Sequence, residues 1–167
     1  PNVEIYQITS RNDKGKRVDE IYPSFRGVLN NILVSPEDAD LKNVDIVFVA
    51  TPKGIAMNYA EGLIEAGKLV IDLAADFRIK DQGIWEKWYG VEHKSPNLIN
   101  KAVYGLPEIN RNSIKKSKLV ANPGCYPTAI QLALIPLLEK KLISSTNIIA
   151  DAKSGISGAG RNPELKL

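Results

Sequence analysis

Residues 44–72 decide the fold: Val44-Asp45-Ile46-Val47-Phe48-Val49-Ala50, then Thr51-Pro52-Lys53-Gly54, then Ile55-Ala56-Met57-Asn58-Tyr59-Ala60-Glu61-Gly62-Leu63-Ile64-Glu65-Ala66-Gly67-Lys68, then Leu69-Val70-Ile71-Asp72. The first seven form a near-continuous apolar run of strand length, the pattern of a parallel strand covered on both faces. Thr51-Pro52-Lys53-Gly54 breaks the run. Ile55, Ala56, Tyr59, Ala60, Leu63 and Ile64 then recur at helical spacing, and Gly67 is placed to stop that helix. Leu69–Asp72 is a second buried strand. Strand, helix, strand in this order predicts an α/β fold with a doubly wound, Rossmann-like parallel sheet, whose ligands collect at the carboxyl ends of the strands.

Working outward toward residue 1, Val3-Glu4-Ile5-Tyr6-Gln7-Ile8-Thr9 alternates apolar with polar residues and predicts a strand ending at Ser10-Arg11. Residues 28–34 predict another, followed by a polar turn or short helix at 35–38. In a dinucleotide-binding sheet the end of the second strand meets the adenosine ribose, where an arginine suits the extra phosphate of NADP. Arg11 fits that role, and fits equally an exposed loop arginine.

Toward the other end, Trp85, Trp88 and Tyr89 stand at helical offsets and read as packing. His93, the one histidine, lies in the polar loop Glu92-His93-Lys94-Ser95-Pro96 and reads as a surface residue. Leu119-Val120-Ala121 predicts a strand. After it come Asn122-Pro123-Gly124-Cys125-Tyr126-Pro127-Thr128, with Pro127 and Thr128 opening a helix that is apolar on nearly all faces to Leu138. Such a helix is expected to be buried. Cys125, the single cysteine, therefore sits on a tight strand-to-helix turn, where free backbone N–H groups favour a thiolate. Asn147–Lys153 predicts a further strand, delivering the glycine-rich loop Ser154-Gly155-Ile156-Ser157-Gly158-Ala159-Gly160-Arg161, able to bring backbone N–H groups against phosphate or an amide.

Composition narrows the classes. A chain of 167 residues, 44% hydrophobic and 25% charged, is ordinary globular material, enough for one packed domain and the start of another. A net charge of +3 without a basic stripe argues against nucleic acid. The longest apolar run is interrupted by Gln131 and Pro136, so a membrane span is not expected. One cysteine forms no internal disulfide, and no signal peptide is visible, so the chain reads as cytoplasmic. One cysteine and one histidine do not build a metal site. The start at Pro1, without methionine and entering a strand at once, reads as that of a fragment.

Ala121-Asn122-Pro123-Gly124-Cys125-Tyr126-Pro127-Thr128-Ala129 resembles the active-site motif of the N-acetyl-γ-glutamyl-phosphate reductases of arginine biosynthesis. Five further stretches share that resemblance. Thr9-Ser10-Arg11 is similar to the family's Thr-Ser-Arg and tips Arg11 toward NADP. Thr51-Pro52-Lys53-Gly54 resembles the Pro-His-Gly loop beside the cofactor, with lysine for histidine; Lys53 itself reads as solvated. Leu73-Ala74-Ala75-Asp76-Phe77-Arg78 resembles the Ser-Ala-Asp-Phe-Arg segment with alanine for serine, and the 154–161 loop resembles the Ser-Gly-x-Ser-Gly-Ala-Gly-Arg cofactor loop. Ala102–Glu108 matches a segment that closes over the active site.

The resemblance implies an NADP-dependent acyl-phosphate reductase with Cys125 as nucleophile. It implies a cofactor site including Ser10, Arg11, Thr51, Pro52, Ser157, Gly158, Ala159 and Gly160. Arg78 would bind the substrate phosphate, or else pair structurally with Asp76; both readings stay open here. The division expected is a partial NADP-binding domain at 1–122, lacking its first strand and glycine-rich turn, and the start of a catalytic and dimerisation domain at 123–167. Relatives within that family reduce glutamyl or aminoadipyl phosphates carried on an acidic amino-group carrier protein, in lysine and arginine biosynthesis, so a carrier partner is a second expectation beside a small acyl phosphate. A homo-oligomer is expected of the full-length protein. Of a different class is a non-catalytic interaction module, since this stretch by itself is expected to be inactive.

Overall fold

The computed structural model describes residues 3–155 and Gly158. In chain order the elements are α1 (Val18–Ile21), β1 (Ile46–Val49), α2 (Ala56–Glu65), β2 (Leu69–Asp72), α3 (Gln82–Tyr89), α4 (Pro96–Ile99), β3 (Val103–Tyr104), α5 (Pro107–Ile114), β4 (Leu119–Ala121) and α6 (Cys125–Glu139). The four strands form one parallel sheet in the order β1-β2-β4-β3. Val49 pairs with Asp72, Asp72 with Ala121, and Ala121 with Tyr104. Four strand ends thus stand in one row, and the loops that follow them share one edge of the sheet.

Burial explains the elements. Ala56 and Ala60, both fully buried, bring α2 close against the sheet, and Met57 fills the space beside them. At the far end Gly67 takes a left-handed φ of 80°, which stops the helix where the sequence places a stop. α3 begins at Asp81, whose side chain accepts the Ile84 amide at 2.8 Å, and ends at Gly90 in the left-handed region. Trp85 is completely buried and donates its indole N–H to the Ala75 carbonyl at 2.9 Å, whereas Trp88 on the same helix is exposed. The core gathers Val49, Val70, Phe77, Trp85, Ile99, Leu119 and Ala121 around the sheet.

Several expectations are corrected. Residues 3–9 and 28–34 do not form regular strands: they meet at a single parallel bridge, Thr9 with Val34, and Ile32 bridges Arg17. A strand needs a continuous ladder of backbone hydrogen bonds, and among the described residues the bonds here are confined to residues 8–10 and 15–18 on either side of 31–34; Val3, Ile5, Tyr6 and Val28 stay exposed. Residues 147–153 form no strand either, with Asn147 at a φ of 60° and Ile149 93% exposed. No residue of α6 is buried. Its apolar composition was a sound reason to expect cover, but among the described residues the cover is partial: Ile130, Leu134 and Leu138 are half-buried while Tyr126, Leu132 and Leu137 stay exposed. His93 is also misplaced by its polar loop: it is 2% exposed, edge-on to Phe77 and Trp85.

Candidate active site

The thiol's position follows from the turn after β4. Gly124 is the N-cap of α6 in extended conformation, and Cys125 is the first helical residue, two places earlier than the proline suggested. The first intrahelical bond runs from the Thr128 amide to the Gly124 carbonyl at 3.0 Å, and the Thr128 hydroxyl donates to the same oxygen at 2.9 Å. Pro127 has no N–H to leave unsatisfied. The amides of Cys125 and Tyr126 therefore begin the helix without an acceptor inside it. Cys125 is exposed and lines a groove of about 580 Å³ between α6 and residues 149–155, with Tyr126, Ile130, Ile149, Ser154 and Gly155 among its walls.

Arg78 reaches this turn from the next loop of the same sheet edge. Its Nε donates to the Asn122 carbonyl at 2.7 Å and its Nη2 to the Leu73 carbonyl at 3.0 Å. A Cβ on Gly124 would lie 3.3 Å from Arg78 Nη1, so glycine at the N-cap is what lets the guanidinium rest against the turn. No Asp76–Arg78 ion pair forms. Asp76 instead caps α2 from outside, accepting the Gly54 amide at 2.7 Å and the Met57 amide at 3.0 Å on its two oxygens.

Asp76 thereby ties the loop after β2 to the loop after β1, where Thr51 and Pro52 lie. Thr51 Oγ1 is buried with no hydrogen-bond partner. Lys53 is not merely solvated: its ammonium donates to the Tyr89 carbonyl at the end of α3, at 2.9 Å. Ser10 and Arg11 stand apart from this row. Ser10 Oγ accepts the Asp13 amide at 3.2 Å. Arg11 pairs with Glu37 at 2.7 Å and touches α2 through the Tyr59 hydroxyl at 2.6 Å. Gly158 follows the groove, its amide on the Gly155 carbonyl at 2.9 Å, and a Cβ there would collide with Ser154 Oγ, so that hydroxyl would have to turn aside. Ser157, Ala159 and Gly160 lie outside the described residues.

Two features escaped the sequence reading, and a third adds a contact to the 102–108 segment. Asp72 ends β2 fully buried; its Oδ1 accepts the Ala74 amide at 2.8 Å, while Oδ2 makes no hydrogen bond of ordinary geometry. Burial pushes its carboxyl up to about 6, helped by the charge of Asp76 and opposed by the Ala74 amide, Arg78 and the Phe77 amide. The available signal was a carboxylate closing an apolar parallel strand. Gly105 is the second: a Cβ there would stand 2.8 Å from Val120 Cγ1 and 3.2 Å from the Ala121 carbonyl. The third is Tyr104, whose hydroxyl accepts from Gln131 Nε2 at 3.2 Å and so links β3 to α6.

Comparison with known proteins adds to this geometry. Residues 1–117 match the family described as semialdehyde dehydrogenase, NAD binding domain, and residues 125–167 match semialdehyde dehydrogenase, dimerisation domain. Among similar proteins, the N-acetyl-gamma-glutamyl-phosphate reductase of Laribacter hongkongensis is 57% identical over 99% of this chain and 48% of its own length. Those of Nitrosospira multiformis and Thiobacillus denitrificans are each 54% identical, over 99% and 100% of this chain and 48% and 49% of their own lengths. The chain thus spans about half the length of the curated relatives it matches. Among solved structures, aspartate semialdehyde dehydrogenase II of Vibrio cholerae superposes with a TM-score of 0.58 at 20% identity, over 80% of this chain and 34% of that one, a likeness of fold.

Proposed function

This chain belongs to the semialdehyde dehydrogenase family, and from that premise we propose that the protein carrying it reduces N-acetyl-γ-glutamyl phosphate to the semialdehyde with NADPH. The observation that carries the reading is the exposed thiol of Cys125 at the first turn of α6, on the edge where the strand ends collect, with Arg78 against its N-cap. The sulfur of Cys125, as thiolate, adds to the acyl carbon; the bond to the phosphate oxygen breaks, phosphate leaves with the electron pair, and a thioester remains. The amides of Cys125 and Tyr126 donate to the acyl oxygen as charge develops on it. Arg78 spends two of its five N–H groups on carbonyls, which leaves donors for the departing phosphate beside the thiol.

NADPH, when bound, supplies the hydride that takes the thioester to the aldehyde level. The buried, unpartnered hydroxyl of Thr51 fits a polar ligand over the β1 end, with Pro52 beside it. Ser10 and Arg11 would meet the adenosine phosphate, and Ser157, Gly158, Ala159 and Gly160 would close on the cofactor. His93 is not the general acid or base of this scheme, because its Nε2 bonds the Asp76 carbonyl and its Nδ1 accepts the Ser95 amide. The dimerisation segment matched at residues 125–167 and the uncovered apolar surface of α6 support a homo-oligomer, and a lone free cysteine suits a reducing cytoplasm.

The test is an assay of a full-length protein carrying these residues, with free N-acetylglutamyl phosphate and with the same acyl group on an acidic carrier. Turnover of the free substrate, loss of it by at least about a thousandfold in Cys125→Ser, and an acyl adduct on the Cys125 peptide are expected. Activity surviving Cys125→Ser would refute the thioester, and turnover of the carrier-bound form alone would reassign the substrate.

A further inference from the structure

The loop after β2 does more than carry Arg78. Asp72 joins four neighbours at once: its carbonyl accepts the Asn122 amide at 2.8 Å, its Oδ1 accepts the Ala74 amide, and it pairs in register with Val49 on one side and Ala121 on the other. The side-chain bond to the amide two residues on is an Asx-type turn, which folds the chain back on itself. That reversal sends Asp76 toward the start of α2 and Arg78 across to Leu73 and Asn122. Asn122 is therefore held twice, by its amide on Asp72 and by its carbonyl on Arg78, only three residues before the sulfur.

We propose that Asp72 is a positioning residue for Cys125, its buried carboxylate holding the 72–78 loop and its guanidinium in the arrangement that fixes the Asn122–Gly124 turn. The inference rests on the reading of Cys125 as a nucleophile but does not depend on which acyl group it attacks. A carboxylate is an expensive occupant for this place. It is fully buried, one oxygen is unbonded, and an apolar residue would continue the strand. The charges that act on it are Asp76 and Arg78, both on its own loop. β1 and β4 on either side are apolar, and α2 turns Ala56, Met57 and Ala60 inward. An acid raised to about 6 in such a setting is characteristic of functional sites.

The experiment compares wild type with Asp72→Asn, near-isosteric and uncharged, in a full-length protein. Two quantities are followed across about pH 5 to about pH 8: kcat and KM, and the rate of iodoacetamide alkylation of Cys125 read from its peptide by mass spectrometry. Wild type should show an inflection near pH 6 in the alkylation rate. Asp72→Asn should lose that inflection and about tenfold or more in kcat, with KM within about threefold. His93→Gln serves as the control that separates the imidazole's contribution. Alkylation needs neither substrate nor NADPH, so an inactive protein that still shows the Asp72-dependent inflection refutes the proposed reaction and leaves this inference standing. A lowered unfolding temperature with the inflection intact overturns it. Should Asp72→Asn not fold, Asp72→Glu decides: an inflection displaced by the longer side chain supports the proposal, and an unmoved one overturns it.

Discussion

Arg78 Nε holds the Asn122 carbonyl at 2.7 Å, and through that one bond the loop after β2 is fastened to the turn that carries the thiol. A second bond runs from Nη2 to the Leu73 carbonyl at 3.0 Å. A planar fork spans two such acceptors while presenting a third side to a ligand; an ammonium does not. Arg78→Lys in the full-length protein is expected to lower kcat/KM by about a hundredfold through misplacement of the turn and loss of phosphate contacts. Stability should fall by only about 1–2 kcal/mol. Steady-state kinetics beside urea denaturation checks both, and equal losses in the two would contradict the assignment.

Gly105 lies where β3 gives way to the segment before α5, tight against β4. Its absent side chain would meet Val120 Cγ1 at 2.8 Å, the Ala121 carbonyl at 3.2 Å and Asn122 Cα at 3.3 Å. Two of those neighbours are backbone: Ala121 is fixed by sheet pairing and Asn122 by its amide on the Asp72 carbonyl. Gly105→Ala is expected to destabilise by about 1–3 kcal/mol and to disturb Cys125 through Asn122. The midpoint of a urea transition measures the first effect, and the alkylation rate of Cys125 the second.

The sheet was legible because its strands are buried: Val44–Ala50, Leu69–Asp72 and Leu119–Ala121 read as apolar runs, and all three pair in parallel. Legibility failed where burial depends on what lies across from a segment. Residues 3–9 and 147–153 have strand composition, yet composition does not supply a partner edge. Cys125 was found from its turn, since Pro and Gly spell out a backbone path. Asp72 and Asp76 were not separable by sequence: both are acids near one strand end, and only the fold sends one to α2 and leaves the other under Arg78. His93 shows the opposite failure, a polar loop whose single imidazole turns inward to satisfy two backbone groups.

That inward histidine makes a purely structural prediction. Its ring is wedged between Phe77 and Trp85, with Nε2 on the Asp76 carbonyl at 2.9 Å and Nδ1 on the Ser95 amide at 3.1 Å. His93→Ala leaves a cavity and two buried backbone groups without partners, and should cost about 2–4 kcal/mol. Because the Asp76 carbonyl belongs to the site loop, the check is kcat per folded molecule, measured well below the unfolding temperature. It should stay within about threefold of wild type, whereas a larger loss would place the imidazole in the chemistry.

Asp72 gives stability a pH dependence of unusual sign. In the unfolded chain its carboxyl has the ordinary value of 3.8, and in the folded protein burial raises it to about 6. Between those values the folded state binds more protons than the unfolded, so this group's contribution falls as pH rises from about 4 to about 6, by at most about 3 kcal/mol. The carboxylates of Asp19 and Asp38 work the other way. Arg17 and Lys14 hold them low, and their contribution, present above 3.8, is lost as pH falls further. Above about pH 5 those groups are silent, so the unfolding temperature of wild type measured relative to Asp72→Asn should decline from about pH 5 to about pH 7. A difference that stays flat over that range would mean that the carboxylate is already satisfied, and that its buried oxygen has a partner in solution.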